Sequence, residues 1–301
     1  MRYYMIKKNL PQFQSLTGMT RETFEEFLFH FEQDWHEHIT NYRLDGKPRK
    51  RLARGAVCVH LPATADKLLF ILSYLKNNPL QEYHAASYGM TQSQVNPLIQ
   101  LFTDILIKTL KRLNELPEEN TLRLIHTLKF YSDILLDGTE RPIERSQDEE
   151  LQRECYSGKK KHCLKNNLIS SLDKRILWLS KTYYGSVHDK KICYLQPLKL
   201  PLGIFIYQDT GFTGHNPEGA TVLMPTKKPK GRELTKEQKQ QNKEISSVRI
   251  GVEHAIGGVK KYRIVKETFK CRKFDFQHKV MLIACGLHNF TISLKTNAIA
   301  I

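Results

Sequence analysis

The chain has no membrane-length apolar run. No stretch approaches the roughly 18 to 20 uninterrupted apolar residues that a spanning helix needs. The first residues, MRYYMIKKNLPQFQ, lack the apolar segment and small-residue cleavage site of a secretory signal. Internal repeats are absent. The cysteines at 58, 155, 163, 193, 271 and 285 contain no C-x-x-C pair, so they read as reduced thiols rather than a disulfide framework. Cys155 and Cys163 are too far apart for a tight zinc-ligand pair and no second pair exists, which disfavours zinc. Acidic residues are also in short supply: 31 Asp+Glu stand against 47 Lys+Arg, a formal charge of +16. Yet 40% of the 301 residues are hydrophobic, enough for one or two cores and too many for a disordered polycation. These exclusions leave an intracellular protein with a polyanionic partner, nucleic acid being the commonest.

What is present changes in texture near residue 120. Before it the pattern is helical. Thr20 opens TRETFEEFLFHFEQ, with Phe24, Phe27, Leu28 and Phe31 at helical spacing, and residues 63–77 repeat that pattern before Asn77, Asn78 and Pro79 stop it. After it, residues 130–137, 165–173, 176–185 and 203–209 read as strands, with TVLMP a shorter one and HDKKICYLQPL a short helix. EISSVRIGVEHAIGGVKKY (244–262) places Ile245, Val248, Val252, Ile256 and Val259 on one face of an amphipathic helix. The polar stretch KKPKGRELTKEQKQQNK before it reads as a mobile connection. The expected organisation is a helical module over residues 1–120 and an α/β domain over 121–301.

Residues 80–112 have the spacing of a helix-turn-helix. Ala85 and Ala86 permit close helix crossing, Gly89 supplies the turn, and Thr91-Gln92-Ser93-Gln94 fits a capping box. Gln92, Ser93, Gln94 and Asn96 would then face base edges. Pro97 should bend the second helix or delay its start. An ordinary αα-hairpin fits the same pattern. The basic run KPRKRLAR, with Arg49, Lys50 and Arg51, tilts the reading toward DNA.

Three carboxylates carry the chemistry. Asp137 and Asp209 each end an apolar strand and are followed closely by glycine; Glu253 lies off the apolar stripe of its helix, with Arg249 at i−4. With no Cys or His ligand set nearby, three carboxylates suit Mg²⁺ or Mn²⁺, and two such ions can serve an in-line phosphoryl displacement. Each aspartate taken singly also fits a turn or cap, and the glutamate a solvated ion pair. Gly257 and Gly258 lower helix propensity, which suggests either close approach of a DNA backbone or tight packing on the sheet.

The second half closely resembles the DDE endonuclease domain of insertion-sequence transposases, the branch related to Harbinger-type elements. The similarity rests on LLDGTERPI (135–143), YSGKKKHCLKNNL (156–168), YGSVHDKK (184–191), QDTGFTG (208–214), residues 223–264 and LHNF (287–290), in the family's order. Thr210, Phe212 and Cys163 depart from the family's usual residues, and none is an acid. The resemblance implies an RNase H-like fold, a mixed sheet flanked by helices, behind a helix-turn-helix module. It puts Asp137, Asp209 and Glu253 on two Mg²⁺ or Mn²⁺ ions and His188 and Asp189 near them. It implies binding to double-stranded DNA, both terminal inverted repeats and target, as a homo-oligomer, in bacterial cytoplasm or a eukaryotic nucleus. Lys159, Lys160, Lys161, Lys260 and Arg263 become candidate phosphate contacts. A non-catalytic DNA-binding regulator and a nuclease without strand transfer are the rival readings. Residues 46–62, 156–172, 225–243 and 254–266 carry net +5, +4, +5 and +4, leaving the rest of the chain slightly acidic.

Overall fold

The structure, a computed structural model, describes residues 1–51, 58–159, 161–271 and 273–299. Helices make up the first 116 residues: α1 (Tyr3–Ile6), α2 (Leu10–Thr17), α3 (Arg21–Asn41), α4 (Thr64–Asn77), α5 (Gln81–Tyr88) and α6 (Gln92–Arg112). Their limits follow local chemistry. Thr20 caps α3 by accepting from the Thr23 N–H, and Asn78 ends α4 in the left-handed region at φ 48°. Gly89 closes α5 at φ 68°, after which the Thr91–Gln94 capping box opens α6. Pro97 neither delays nor ends α6. The cap fixes the start upstream, and Val95, Leu98, Ile99 and Phe102 bury the face that holds the helix in place.

The chain then forms α7 (Thr121–Leu128), β1 (Asp133–Pro142), α8 (Glu149–Cys155), β2 (Cys163–Ser171), β3 (Ile176–Leu179), β4 (Tyr183–Tyr184), α9 (Asp189–Leu195), β5 (Ile204–Tyr207), β6 (Ala220–Leu223), α10 (Lys236–Val259) and α11 (Phe274–Ile299). The strands make one mixed sheet in the order β3-β2-β1-β5-β6, with β4 also on β2. β1, β2 and β3 pair antiparallel, whereas β1, β5 and β6 run parallel. Ile134 and Leu136 of β1, Ile204 and Ile206 of β5, and Trp178 of β3 bury one side with Leu124 and Leu128 of α7 and Cys193 of α9. Helix α10 packs on β1, β2 and β5.

Two compact units result, and their limits differ from a cut at 120/121. One comprises Met1–Leu116, Lys260–Glu267 and Lys279–Ile301; the other comprises Pro117–Val259 and Thr268–His278. The C-terminal segments join the helical unit because its apolar surface needs them. Phe27 and Phe290 meet edge-to-face at 5.0 Å, and a Cβ on Gly286 would meet Leu110 and Leu116 methyls at 2.9 Å. Helix α10 also starts earlier than its apolar stripe. Thr235 and Gln238 form a reciprocal cap, with Thr235 N to Gln238 Oε1 at 3.0 Å and Gln238 N to Thr235 Oγ1 at 3.2 Å. Asn242 pins the chain ahead of it by bonding the Thr226 N–H at 2.7 Å and carbonyl at 2.9 Å. The segment expected to be mobile is therefore partly helix.

Candidate active site

Strand pairing brings two of the three carboxylates together. Leu135 of β1 stands opposite Tyr207 of β5 in the parallel pair. Two residues further along each chain come Asp137, still within β1, and Asp209, just past the end of β5, so the pairing delivers both acids to the same end of neighbouring strands. β5 ends at Tyr207, and Asp209 leads into a 3₁₀ turn at Thr210–Phe212, anchored by buried Phe212. Asp137 does not end its strand as the sequence suggested. β1 continues beside its antiparallel neighbour to the pair Pro142–Cys163, so Asp137 marks only the point where β5 has stopped.

Arg249, from α10, faces both acids. Its Nη1 lies 3.6 Å from Asp209 Oδ1 and its Nη2 4.0 Å from Asp137 Oδ2. These are charge contacts rather than good hydrogen bonds. The Arg249 side chain is 13% exposed and its Nε is buried with no hydrogen-bond partner among the described residues, so the guanidinium is held more by position than by saturation. Asp137 Oδ1 accepts from the Gly138 N–H at 2.7 Å. Burial raises the Asp137 carboxyl above its ordinary pKa, with Asp209 and Asp189 adding to the rise and the Gly138 N–H and Arg249 opposing it.

Glu253 lies one turn after Arg249 on α10 and is exposed. Among the described residues, no three His, Cys, Asp or Glu side chains stand close enough to hold a metal ion. The structure thus joins Asp137 and Asp209 through one cationic side chain and leaves Glu253 outside that pair. The donors at the pair are carboxylate oxygens, which suit a hard cation, and Arg249 supplies the positive charge beside them here.

The YGSVHDKK stretch lies beside this pair through contacts that sequence reading did not resolve. Gly185 sits so close to Cys163 that a Cβ would fall 2.8 Å from its Sγ. His188 caps α9, its Nδ1 facing the Lys190 N–H at 3.3 Å. Lys190 Nζ donates to the Thr213 carbonyl at 2.8 Å, tying α9 to the turn after Asp209. Asp189 Oδ1 lies 3.3 Å from Lys165 Nζ, a lysine only 9% exposed that also stands 3.7 Å from Glu140. Lys165 was not anticipated, and its only signal was a charge inside an otherwise buried strand. Gly257 faces open space, while Gly251 makes the close approach, its Cβ position lying 3.0 Å from Leu135 Cδ1.

The expected DNA contacts fall in both units. Gln92, Ser93, Gln94 and Asn96 are exposed on the first turns of α6, but Gln94 Oε1 accepts from the Thr91 N–H at 3.0 Å and Ser93 Oγ pairs with Thr91 Oγ1 at 2.9 Å. Only Gln92 and Asn96 are left uncommitted by the cap. Arg49 Nε donates to the Tyr42 carbonyl at 2.8 Å, while Lys50 and Arg51 are exposed. Lys159 lies 3.4 Å from Glu140, Lys161 is exposed, and Lys160 lies outside the described residues. Lys260 and Arg263 belong to the helical unit, where Arg263 pairs with Glu267 at 2.6 Å.

A mixed sheet flanked by helices, with paired acids where parallel strands end, defines an α/β domain of nuclease type. The family model described as DDE superfamily endonuclease matches residues 136–289. The chain belongs to that family. It is 27% identical over 289 residues to the probable transposase for insertion sequence element IS702 of Microchaete diplosiphon, an alignment covering 94% of this chain and 95% of that protein. No solved structure matches the chain. Among the described residues no helix is long and apolar enough to cross a membrane.

Proposed function

We propose that the protein is a DNA transposase that cuts phosphodiesters at the ends of its element and joins the exposed 3′-hydroxyls to target DNA. The observation that carries this reading is the equivalent placement of Asp137 and Asp209 beyond one parallel register pair, bridged by Arg249. Family membership and the IS702 relative support it. The strand order, three antiparallel strands followed by two parallel ones, supports an RNase H-like domain.

DDE superfamily endonucleases generally use divalent ions. Asp137 and Asp209 would hold two Mg²⁺ or Mn²⁺ ions here, with Glu253 the third carboxylate. Such ions, when bound, make water or a 3′-hydroxyl a stronger nucleophile and neutralise charge on the leaving oxygen. The chain's own contribution is orientation. The Gly138 N–H fixes Asp137, the 3₁₀ turn fixes Asp209, and Arg249 is placed to donate to a phosphate oxygen in exchange for carboxylate. No covalent protein–DNA link is required.

Helices α5 and α6 would be the helix-turn-helix, with Gln92 and Asn96 free to read bases. Lys50, Arg51, Lys159, Lys161, Lys260 and Arg263 would contact phosphates. The working form would be a homo-oligomer assembled on terminal repeats, acting on chromosomal DNA in the cytoplasm. The test is Mg²⁺-dependent nicking and strand transfer on DNA carrying the element's ends, with wild type, Asp137→Asn and Asp209→Asn. Loss of both reactions in both variants, with DNA binding retained, is the expected result. Equal inertness of all three, each binding DNA, would instead make the chain a non-catalytic DNA-binding protein. Cutting without joining would make it a plain nuclease.

A further inference from the structure

The residue before Asp209 breaks the pattern of its strand. Ile204 and Ile206 of β5 point into the core that Cys193 of α9 also joins, and the next position on that face is Gln208. Gln208 is fully buried, and its backbone N–H donates to the Leu223 carbonyl at 3.0 Å, carrying the pairing with β6 one residue past β5. Its side-chain Oε1 lies 3.1 Å from Nδ1 of His215, a ring only 4% exposed. Burial lowers the His215 pKa, with Lys190 adding to the fall, so the ring is neutral and Nδ1–H donates to the amide oxygen. Gln208 Nε2 is buried with no hydrogen-bond partner among the described residues. An apolar residue at 208 would continue the Ile204–Ile206 pattern and leave no amide group orphaned. Two apolar side chains of similar shape are generally as stable as a buried polar pair, or more so. Stability alone does not account for Gln208 and His215.

What the pair does shows at the neighbouring acid. Pairing of β5 with β1 ends at Tyr207, so the sheet no longer sets the direction of Asp209. The Asp209 carboxylate has Arg249 at 3.6 Å and, among the described residues, no hydrogen bond. Its direction comes from its flanks. Successive side chains of an extended chain point to opposite faces. Asp209 is still extended, at φ −79° and ψ 159°, so holding Gln208 in the core on the α9 side turns Asp209 to the other face, toward Arg249 of α10. The His215 bond also closes the loop, tying the residue after the 3₁₀ turn to the residue before the acid. Contacts from α9 hold the same loop from outside: Lys190 Nζ donates to the Thr213 carbonyl at 2.8 Å, and the Tyr194 hydroxyl to that of Gly214 at 3.2 Å. We propose that Gln208 and His215 are positioning residues for Asp209, their buried hydrogen bond fixing the direction of its carboxylate. The inference rests on the transposase reading for Asp209 and adds two residues that touch neither DNA nor the reacting atoms.

The experiment compares the full-length wild type with His215→Asn, which keeps a hydrogen-bonding group at the Nδ1 position, and with the apolar pair Gln208→Met/His215→Leu. Three quantities are read: the melting temperature, amide hydrogen exchange over residues 210–215 without DNA, and kcat and KM for nicking DNA that carries the element's ends. The apolar pair should melt at or above wild type, yet its turn amides should exchange about tenfold faster. Its kcat should fall by about tenfold or more with KM unchanged, and His215→Asn should keep kcat within about threefold of wild type. A purely structural role would move melting and activity together and would not be rescued by Asn. Wild-type kcat or unchanged exchange in the apolar pair would overturn the proposal, as would a loss in His215→Asn equal to that of the pair. If the apolar pair does not fold, Gln208→Met alone is read by the same measurements; if neither folds, the two side chains are holding the core and the proposal falls. An inert wild type, with faster exchange in the apolar pair, would overturn the transposase reading and leave the holding of the turn intact.

Discussion

At the scale of single residues, glycine positions carry the sharpest consequences. Gly138→Ala puts a methyl 2.9 Å from the Asp189 carboxylate, so DNA nicking should fall at least tenfold while DNA binding persists. A wild-type rate from purified Gly138→Ala would show that the contact is dispensable. The sequence displayed Asp-Gly as a turn signal. What it concealed is that the glycine lies inside a ten-residue strand, kept small by an acid fifty-one positions away. His84 on α5 gives a second residue-scale test. It is buried against Phe70, at 4.5 Å between rings, and burial pushes its pKa down from 6.5 to about 4. Between those values the unfolded chain takes up a proton that the folded chain refuses. Stability is therefore full above pH 6.5 and falls as pH drops, by about 3 kcal/mol when pH reaches about 4. Denaturant titrations across that range should show the slope, and His84→Phe should flatten it.

At the scale of elements, α10 links the sheet to the acids. Gly251 allows it to lie close on Leu135, so Gly251→Val should cost about 1–3 kcal/mol by overpacking. The same change should depress nicking, because Arg249 and Glu253 ride on the helix. A Cβ on Gly257 would meet nothing beyond its own helix within 4 Å among the described residues, so Gly257→Ala should stabilise the free protein by about 0.8–1 kcal/mol through helix propensity alone. If Gly257 marks close approach of DNA, the same variant should bind DNA more weakly; thermal melts and binding isotherms on one preparation separate the two effects. The amphipathic period exposed α10's core face, with Ile245, Val252 and Val259 buried as expected. Its first turns were not legible because the reading weighted charge over the Thr235–Gln238 cap. Helix α11 was missed for a related reason: its apolar residues surround the helix and leave no stripe to detect.

At the scale of the whole molecule, the charge of +16 is concentrated in four basic segments, and these imply a steep salt dependence. DNA affinity should fall by roughly 10³-fold or more between 50 and 200 mM salt if six or more phosphates are neutralised. Replacing Lys159 and Lys161 with Gln should lower the slope of log K against log salt by about 1.8, without changing sequence preference. An unchanged slope would remove the 156–172 segment from the DNA path. Strand periodicity, the candidate acids and the clustering of basic residues are written in the sequence, because each depends on residues within a few positions of one another. The juxtaposition of Asp137 and Asp209, the bridging by Arg249, and the presence of Asp189 at Gly138 were decided only by the fold. Parallel pairing of β1 with β5, and the return of α9 and α10 to the sheet, connect positions tens of residues apart, and local patterning records none of those distances.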